Sequence, residues 1–210
     1  MARETDMRQA IVSVGKKLAA AQLACARSGN VSLRRDKKTV LITATGAALG
    51  DLRPGDIVRV CLATGEISGA KRPSSELPLH LAIYKNFDCR AVIHCHPPLA
   101  NAFFAVHSRL PVLTFETRFY LKDVPVIRQR SLNVSDPAPV VAALAGNKLA
   151  VLRNHGVVAI GQDFTDTLEL IQILEESVKI ACIARLFRKK SLDGIDRAIK
   201  TCLRPHTPIL

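Results

Sequence analysis

Two histidines one residue apart close the apolar run Ala91-Val92-Ile93-His94-Cys95-His96. Strand side chains alternate faces, so His94 and His96 project the same way, roughly 6–7 Å apart at Cα, with Cys95 on the opposite side. That span lets two imidazoles close on one metal ion. A third histidine, His155, ends the second apolar run in Val151-Leu152-Arg153-Asn154-His155-Gly156-Val157-Val158. Three histidines at the ends of buried strands make an open metal site, which keeps a coordination position for chemistry. Burying two imidazoles side by side without a shared partner would leave hydrogen bonds unmade, which favours ligation over plain core packing. His107 stands alone and reads as a core histidine.

Other residues have the chemistry to serve such a site. Glu76 follows Pro73-Ser74-Ser75 at an expected helix start, where an acidic side chain favours the helix dipole. The same carboxylate could instead ligate the metal or act as a general base. His80 lies four residues on and shares its helix face, in position to hydrogen-bond Glu76 or pack in the core. Ser74 and Ser75 sit where free N–H groups attract a phosphate. Asn30 and the turn Thr45-Gly46 offer donors of the same kind.

These residues need strands and helices to bring them together. Helical spacing runs over about residues 7–26, with Gly29 suited to a C-cap. Residues 31–33 and 39–42 read as a hairpin, residues 57–62 as a strand and residues 66–68 as a short one. A helix from Pro73 to about Asn86 precedes the strand 90–94. Pro97-Pro98 then stops that strand before a short helix over 99–106. Residues 112–115 and 124–126 read as strands, and 136–144 as a helix. Residues 149–152 and 157–160 form a strand pair bridged by Asn154-His155-Gly156. A long helix over 164–190 is followed by a tail, 191–210, that the pattern does not place. Mixed helices and tightly connected strands predict an α/β or α+β domain with a largely antiparallel sheet and helices on its faces.

At 210 residues the chain fits one domain with a large core. No apolar run reaches the roughly 18 residues of a membrane span, and the charged start lacks a signal-like apolar region, so a cytoplasmic location is expected. Six cysteines without a C-x-x-C spacing read as reduced, mostly small core residues. The net charge is +12, but aromatics are only 4% and no nucleic-acid-binding motif accompanies the charge. An anionic small substrate, or simple solvation of the surface, explains that charge as well, and nucleic acid is disfavoured.

Gly29-Asn30-Val31-Ser32, Thr45-Gly46, Lys71-Arg72-Pro73-Ser74-Ser75-Glu76, His94-Cys95-His96 and Asn154-His155-Gly156 occur in that order. Together, over roughly residues 8–188, they resemble the class II aldolase/adducin family, most closely its L-fuculose-1-phosphate aldolase branch. The resemblance implies a three-layer α/β/α domain with a mostly antiparallel central sheet, assembled as a homotetramer with active sites between subunits. It implies zinc held by His94, His96 and His155, with Glu76 as both catalytic residue and metal ligand. Asn30, Thr45, Gly46, Ser74 and Ser75 match phosphate-binding positions. The implied reaction is reversible aldol cleavage of a ketose 1-phosphate to dihydroxyacetone phosphate and an aldehyde.

The chain departs from the family where a neighbouring subunit's tyrosine acts as acid. Phe115 stands at that position and cannot donate a proton, and residues 191–210 contain no tyrosine. Tyr120 is a substitute five residues on. The alternatives are other phosphosugar enzymes of the family: a sugar-acid phosphate decarboxylase, a 4-epimerase or a methylthioribulose phosphate dehydratase. Aspartate at the position of Glu76 would mark the epimerases, and threonine-lysine at Ser74-Ser75 the decarboxylases. A non-catalytic adducin-like binding module is disfavoured by the intact histidines.

Overall fold

The computed structural model describes residues 3–129, 131 and 133–202, with side chains described as far as Phe187. Eight strands form one sheet: β1 (Asn30–Arg34), β2 (Thr39–Thr43), β3 (Ile57–Cys61), β4 (Ile67–Ser68), β5 (Ala91–Cys95), β6 (Val126–Arg128), β7 (Leu149–Arg153) and β8 (Gly156–Gly161). Their order is β4-β3-β2-β1-β5-β8-β7-β6. Every neighbouring pair is antiparallel except β6 and β7.

Helices cover both faces. One core joins the sheet to α1 (Glu4–Ala20), α3 (Pro98–Val106) and α5 (Phe164–Cys202); the other joins it to α2 (Leu77–Asn86) and α4 (Ala138–Leu144). The fold is therefore a mixed α/β arrangement with a mostly antiparallel central sheet. The α1 sequence places Met7, Ile11, Val14 and Leu18 on one buried stripe, the helical period expected of a helix lying on a sheet. In α5, Leu168, Ile171, Leu174 and Val178 do the same.

β5 lies between β1 and β8 and is buried throughout. Its alternation is strict. Ala91, Ile93 and Cys95 enter the α1/α3/α5 core, whereas Val92 enters the α2/α4 core. His94 shares the Val92 face. The strand's exit is anchored by α5: the Glu175 carboxylate accepts the Leu99 and Ala100 N–H groups at 2.9 and 2.8 Å, capping α3.

Several local expectations are corrected. α1 stops at Ala20, because Gln22 adopts a left-handed φ of 57°. Gly29 is therefore no helix cap. At φ +80° it lets the chain pass close to β5, where a Cβ would lie 2.8 Å from the His94 carbonyl oxygen. Residues 112–115 form no strand: Val112, Leu113 and Phe115 are exposed, and a π-helical turn follows at Thr117–Leu121. The edge strand β6 begins at Val126 and pairs with β7. The backbone of α5 continues past Lys190 to Cys202; residues 203–210 lie outside the described residues.

Candidate active site

Strand pairing and one tight turn gather the histidines. His94 lies near the end of β5, His96 follows just beyond it, and His155 sits in the turn between β7 and β8. Asn154 makes that turn with a left-handed φ of 63°, and the His155 N–H closes it on the Leu152 carbonyl at 3.0 Å. Gly156 follows because β8 must approach β5 closely: a Cβ there would overlap the Cys95 carbonyl and lie 2.7 Å from His96 Cδ2.

The three rings stand 4.7–5.1 Å apart between centroids, each tilted 66–74° to the others. Their ligating atoms all lie within 4.8 Å of one another. His94 Nδ1 donates to the Val157 carbonyl at 2.9 Å, which leaves its Nε2 unprotonated. That atom faces His96 Nε2 at 3.1 Å. Two nitrogens bound tetrahedrally at about 2.0–2.1 Å from one zinc are roughly 3.3 Å apart, so the pair is already close to ligand spacing. His155 Nδ1 is buried without a partner. Burial first, then the neighbouring rings, holds His94 well below the usual imidazole range; burial, then His155, takes His96 to about 4. Burial lowers His155 as well. All three are neutral at pH 7, as metal ligation requires. The donor set and the orphaned nitrogen fit a divalent metal.

Glu76 is 4% exposed and sits at the N-cap of α2, one residue before the helix proper. Its Oε1 accepts the Val134 N–H at 3.1 Å, while Oε2 is buried with no partner. Burial raises its pKa above the usual carboxylate range, against the opposing Val134 bond. A cavity of about 320 Å³ brings Glu76 together with Asn30, Thr45, Gly46, Ser74, Ser75, His94, His96 and His155. Thr45 and Ser74 reach it because the segment before α2 bridges onto β2: Thr45 N–H donates to the Arg72 carbonyl at 3.0 Å and Ser74 N–H to the Thr43 carbonyl at 2.9 Å.

Two lining residues have no counterpart in the sequence reading. Arg27 is the only Lys or Arg around this cavity, and it has no carboxylate partner, among the described residues. Its loop is fastened to the end of β5, since His96 N–H donates to the Leu23 carbonyl at 2.9 Å. Asn133 accepts from Ser75 Oγ at 3.2 Å, and the next residue, Val134, holds Glu76.

His80 faces away from Glu76. Its Nε2 lies 2.6 Å from Asn30 Oδ1 and its Nδ1 2.6 Å from Ser32 Oγ, which in turn lies 2.8 Å from the Tyr84 hydroxyl. His107 follows the end of α3, outside the buried core, its ring 3.1 Å from Arg185. Tyr120 is 52% exposed and lines a different cavity, with Phe119, Leu170 and Ile173. Within one chain it does not reach the histidines. Among the described residues no helix is long and apolar enough to cross a membrane.

Residues 9–182 match the family described as the class II aldolase and adducin N-terminal domain. The L-fuculose phosphate aldolase of Methanococcus maripaludis is 34% identical over 153 residues, 72% of this chain and 83% of that protein. The 3-oxo-tetronate 4-phosphate decarboxylase of Haemophilus influenzae is 32% identical over 187 residues, 84% of this chain and 88% of that protein. The crystal structure of the L-fuculose-1-phosphate aldolase from Thermus thermophilus superposes with a TM-score of 0.78 at 33% identity, covering 86% of this chain and 95% of that one.

Proposed function

The chain belongs to the class II aldolase and adducin family, and on that premise we propose that it is a zinc-dependent aldolase. Its substrate would be a ketose 1-phosphate, cleaved reversibly to dihydroxyacetone phosphate and an aldehyde. The observation that carries the reading is the shared cavity: a three-histidine cluster, a buried unpartnered carboxylate oxygen and a set of neutral donors around one space. His94, His96 and His155, with Glu76, would hold zinc, which would supply Lewis acidity toward a carbonyl oxygen.

Glu76 takes and returns the proton at the carbon that becomes nucleophilic. Its raised pKa brings it nearer neutrality, where a carboxylate is an effective base. Asn30, Thr45, Gly46, Ser74 and Ser75 hold the phosphate, fixing the reacting carbon beside Glu76 without taking part in bond cleavage. The +12 net charge favours capture of an anionic substrate.

We place the enzyme in the cytoplasm as a homotetramer with sites between subunits. Exposed Leu113, Phe115, Phe119, Leu186 and Phe187 support an apolar contact with a second copy. Tyr120, remote from its own cavity, then serves as the acid toward the aldehyde half of a neighbouring site. The decarboxylase relative supports a second reading, action on a sugar-acid phosphate.

The test offers dihydroxyacetone phosphate and a panel of aldehydes to the zinc-loaded protein. Condensation with at least one aldehyde, lost on chelation and restored by zinc, is expected. No condensation across the panel, with carbon dioxide released from a 3-oxo acid phosphate, would transfer the assignment to the decarboxylase. A protein holding far less than one zinc per subunit, with no rescue by added zinc, would overturn both.

A further inference from the structure

Two periodicities meet in the core beside the cavity. Asn30 and Ser32 are two apart on β1 and face the same side; His80 and Tyr84 are four apart on α2 and share a face. Packing α2 on the sheet joins them in a row, Tyr84, Ser32, His80, Asn30, with spacings of 2.8, 2.6 and 2.6 Å. Ser32 and His80 are fully buried, Tyr84 and Asn30 nearly so. Only Asn30 touches the cavity.

The row has a direction. Asn30 Oδ1 can only accept, so His80 Nε2 carries the proton. Nδ1 of the neutral ring then accepts, so the Ser32 hydroxyl donates to it, and the Tyr84 hydroxyl donates to Ser32. From Tyr84 to Asn30 each hydrogen bond runs toward the cavity and ends on the carboxamide oxygen; the Arg90 carbonyl, at 3.3 Å, is a longer second acceptor for the Tyr84 hydroxyl. The other end of the carboxamide, its NH2, makes no hydrogen bond to the described residues.

We propose that His80 is a positioning residue for substrate: the buried Tyr84–Ser32–His80 row locks the Asn30 carboxamide with its oxygen inward and its NH2 toward the cavity, so that Asn30 meets the ligand as a donor. This deepens the phosphosugar reading and rests on it. A freely rotating carboxamide would present oxygen, an acceptor that repels phosphate, as readily as NH2. Fixing it removes the wrong orientation and the cost of ordering it at binding. His80 itself touches neither substrate nor metal.

Two measurements on the full-length, zinc-loaded protein test this. Long-range proton–nitrogen correlation spectra assign the tautomer of each histidine ring. His80 is expected to carry its proton on Nε2 alone; a ring protonated on Nδ1 alone reverses the row, requires Asn30 to donate inward, and overturns the proposal. The second measurement is the affinity for inorganic phosphate. Ser32→Ala removes the donor to Nδ1 with little change of volume and is expected to weaken phosphate about 3- to 10-fold. Its zinc content and kcat should stay within twofold, while KM for the phosphosugar rises in step. His80→Gln keeps a side-chain NH2 and is expected to retain more phosphate affinity than His80→Leu. Should the leucine variant fail to fold, Ser32→Ala decides alone. Unchanged phosphate affinity in a folded Ser32→Ala protein would refute the positioning role. Absence of saturable phosphate binding in the parent protein would instead sink the phosphosugar reading.

Discussion

Gly156→Ala tests how tightly the metal centre depends on the approach of β8 to β5. The added Cβ would overlap the Cys95 carbonyl oxygen and lie 2.7 Å from His96 Cδ2 and 3.2 Å from His94 Cε1. Carbon atoms rest at about 3.5 Å or more, so the His96 ring alone must retreat by roughly 0.8 Å. His94 cannot follow freely, because its Nδ1 is tied to Val157, the residue beside the new methyl. Ligand positions tolerate only about 0.2 Å around a metal, so a shift of this size should weaken zinc by about 10- to 100-fold. Overpacking in a filled core costs about 1–3 kcal/mol, which for a chain of this length lowers the melting midpoint by roughly 2–12 °C. A zinc competition titration against a chromogenic chelator reads the first effect, and thermal melts of the chelated protein read the second. An alanine variant with unaltered zinc affinity and midpoint would refute the claim that this contact sets the site's geometry.

Other perturbations separate the parts of the site. Glu76→Gln keeps the Val134 contact within reach but removes the base; exchange of the proton on dihydroxyacetone phosphate should fall by about 10²–10⁴-fold with zinc still bound. Arg27→Ala removes the cavity's cation and should raise KM for the phosphosugar about tenfold while leaving kcat within twofold, as steady-state kinetics would show. Acid should destabilise the chelated protein. His80 titrates at about 3 and His96 at about 4 in the folded state, against 6.5 for a free ring, so below pH 6.5 the unfolded chain binds protons that the folded chain refuses. Stability is thus full above about pH 6.5 and lost as pH falls toward 4, by on the order of 1 kcal/mol per pH unit for the fully buried His80 and by less for the partly exposed His96, which solvent screens. Urea midpoints at pH 7.5 and 5.0 measure it, and a midpoint that did not fall would contradict the buried neutral rings.

What could be read from the sequence followed from period. Alternation on a strand placed His94 and His96 together and sent Cys95 to the other core. The turn after an apolar run supplied His155. What could not be read depends on chain crossings that leave no local trace. Val134 meets Glu76 across 58 residues, and Arg27 enters the cavity from a loop whose course is set by left-handed residues such as Ala26, at φ 51°. Of the two roles open to His80, bonding Glu76 or packing in the core, the structure shows the second: Glu76 lies at the N-cap, where its side chain leaves the helix for Val134, while His80 is buried against β1. Residues 112–115 are rich in strand formers, yet β propensity needs a partner strand, and here the sheet edge is taken by β6.

The alternation along β5 ties ligand geometry to sheet register. A slip of one residue against β1 and β8 would turn Cys95 toward the cavity and bury both histidines among α1, α3 and α5. The correctly paired sheet assembles the three imidazoles, so the binding energy of an ion held there would fall on that pairing rather than on its shifted competitors. An ion bound by these three imidazoles would therefore stabilise one register of the central strand over its shifted competitors.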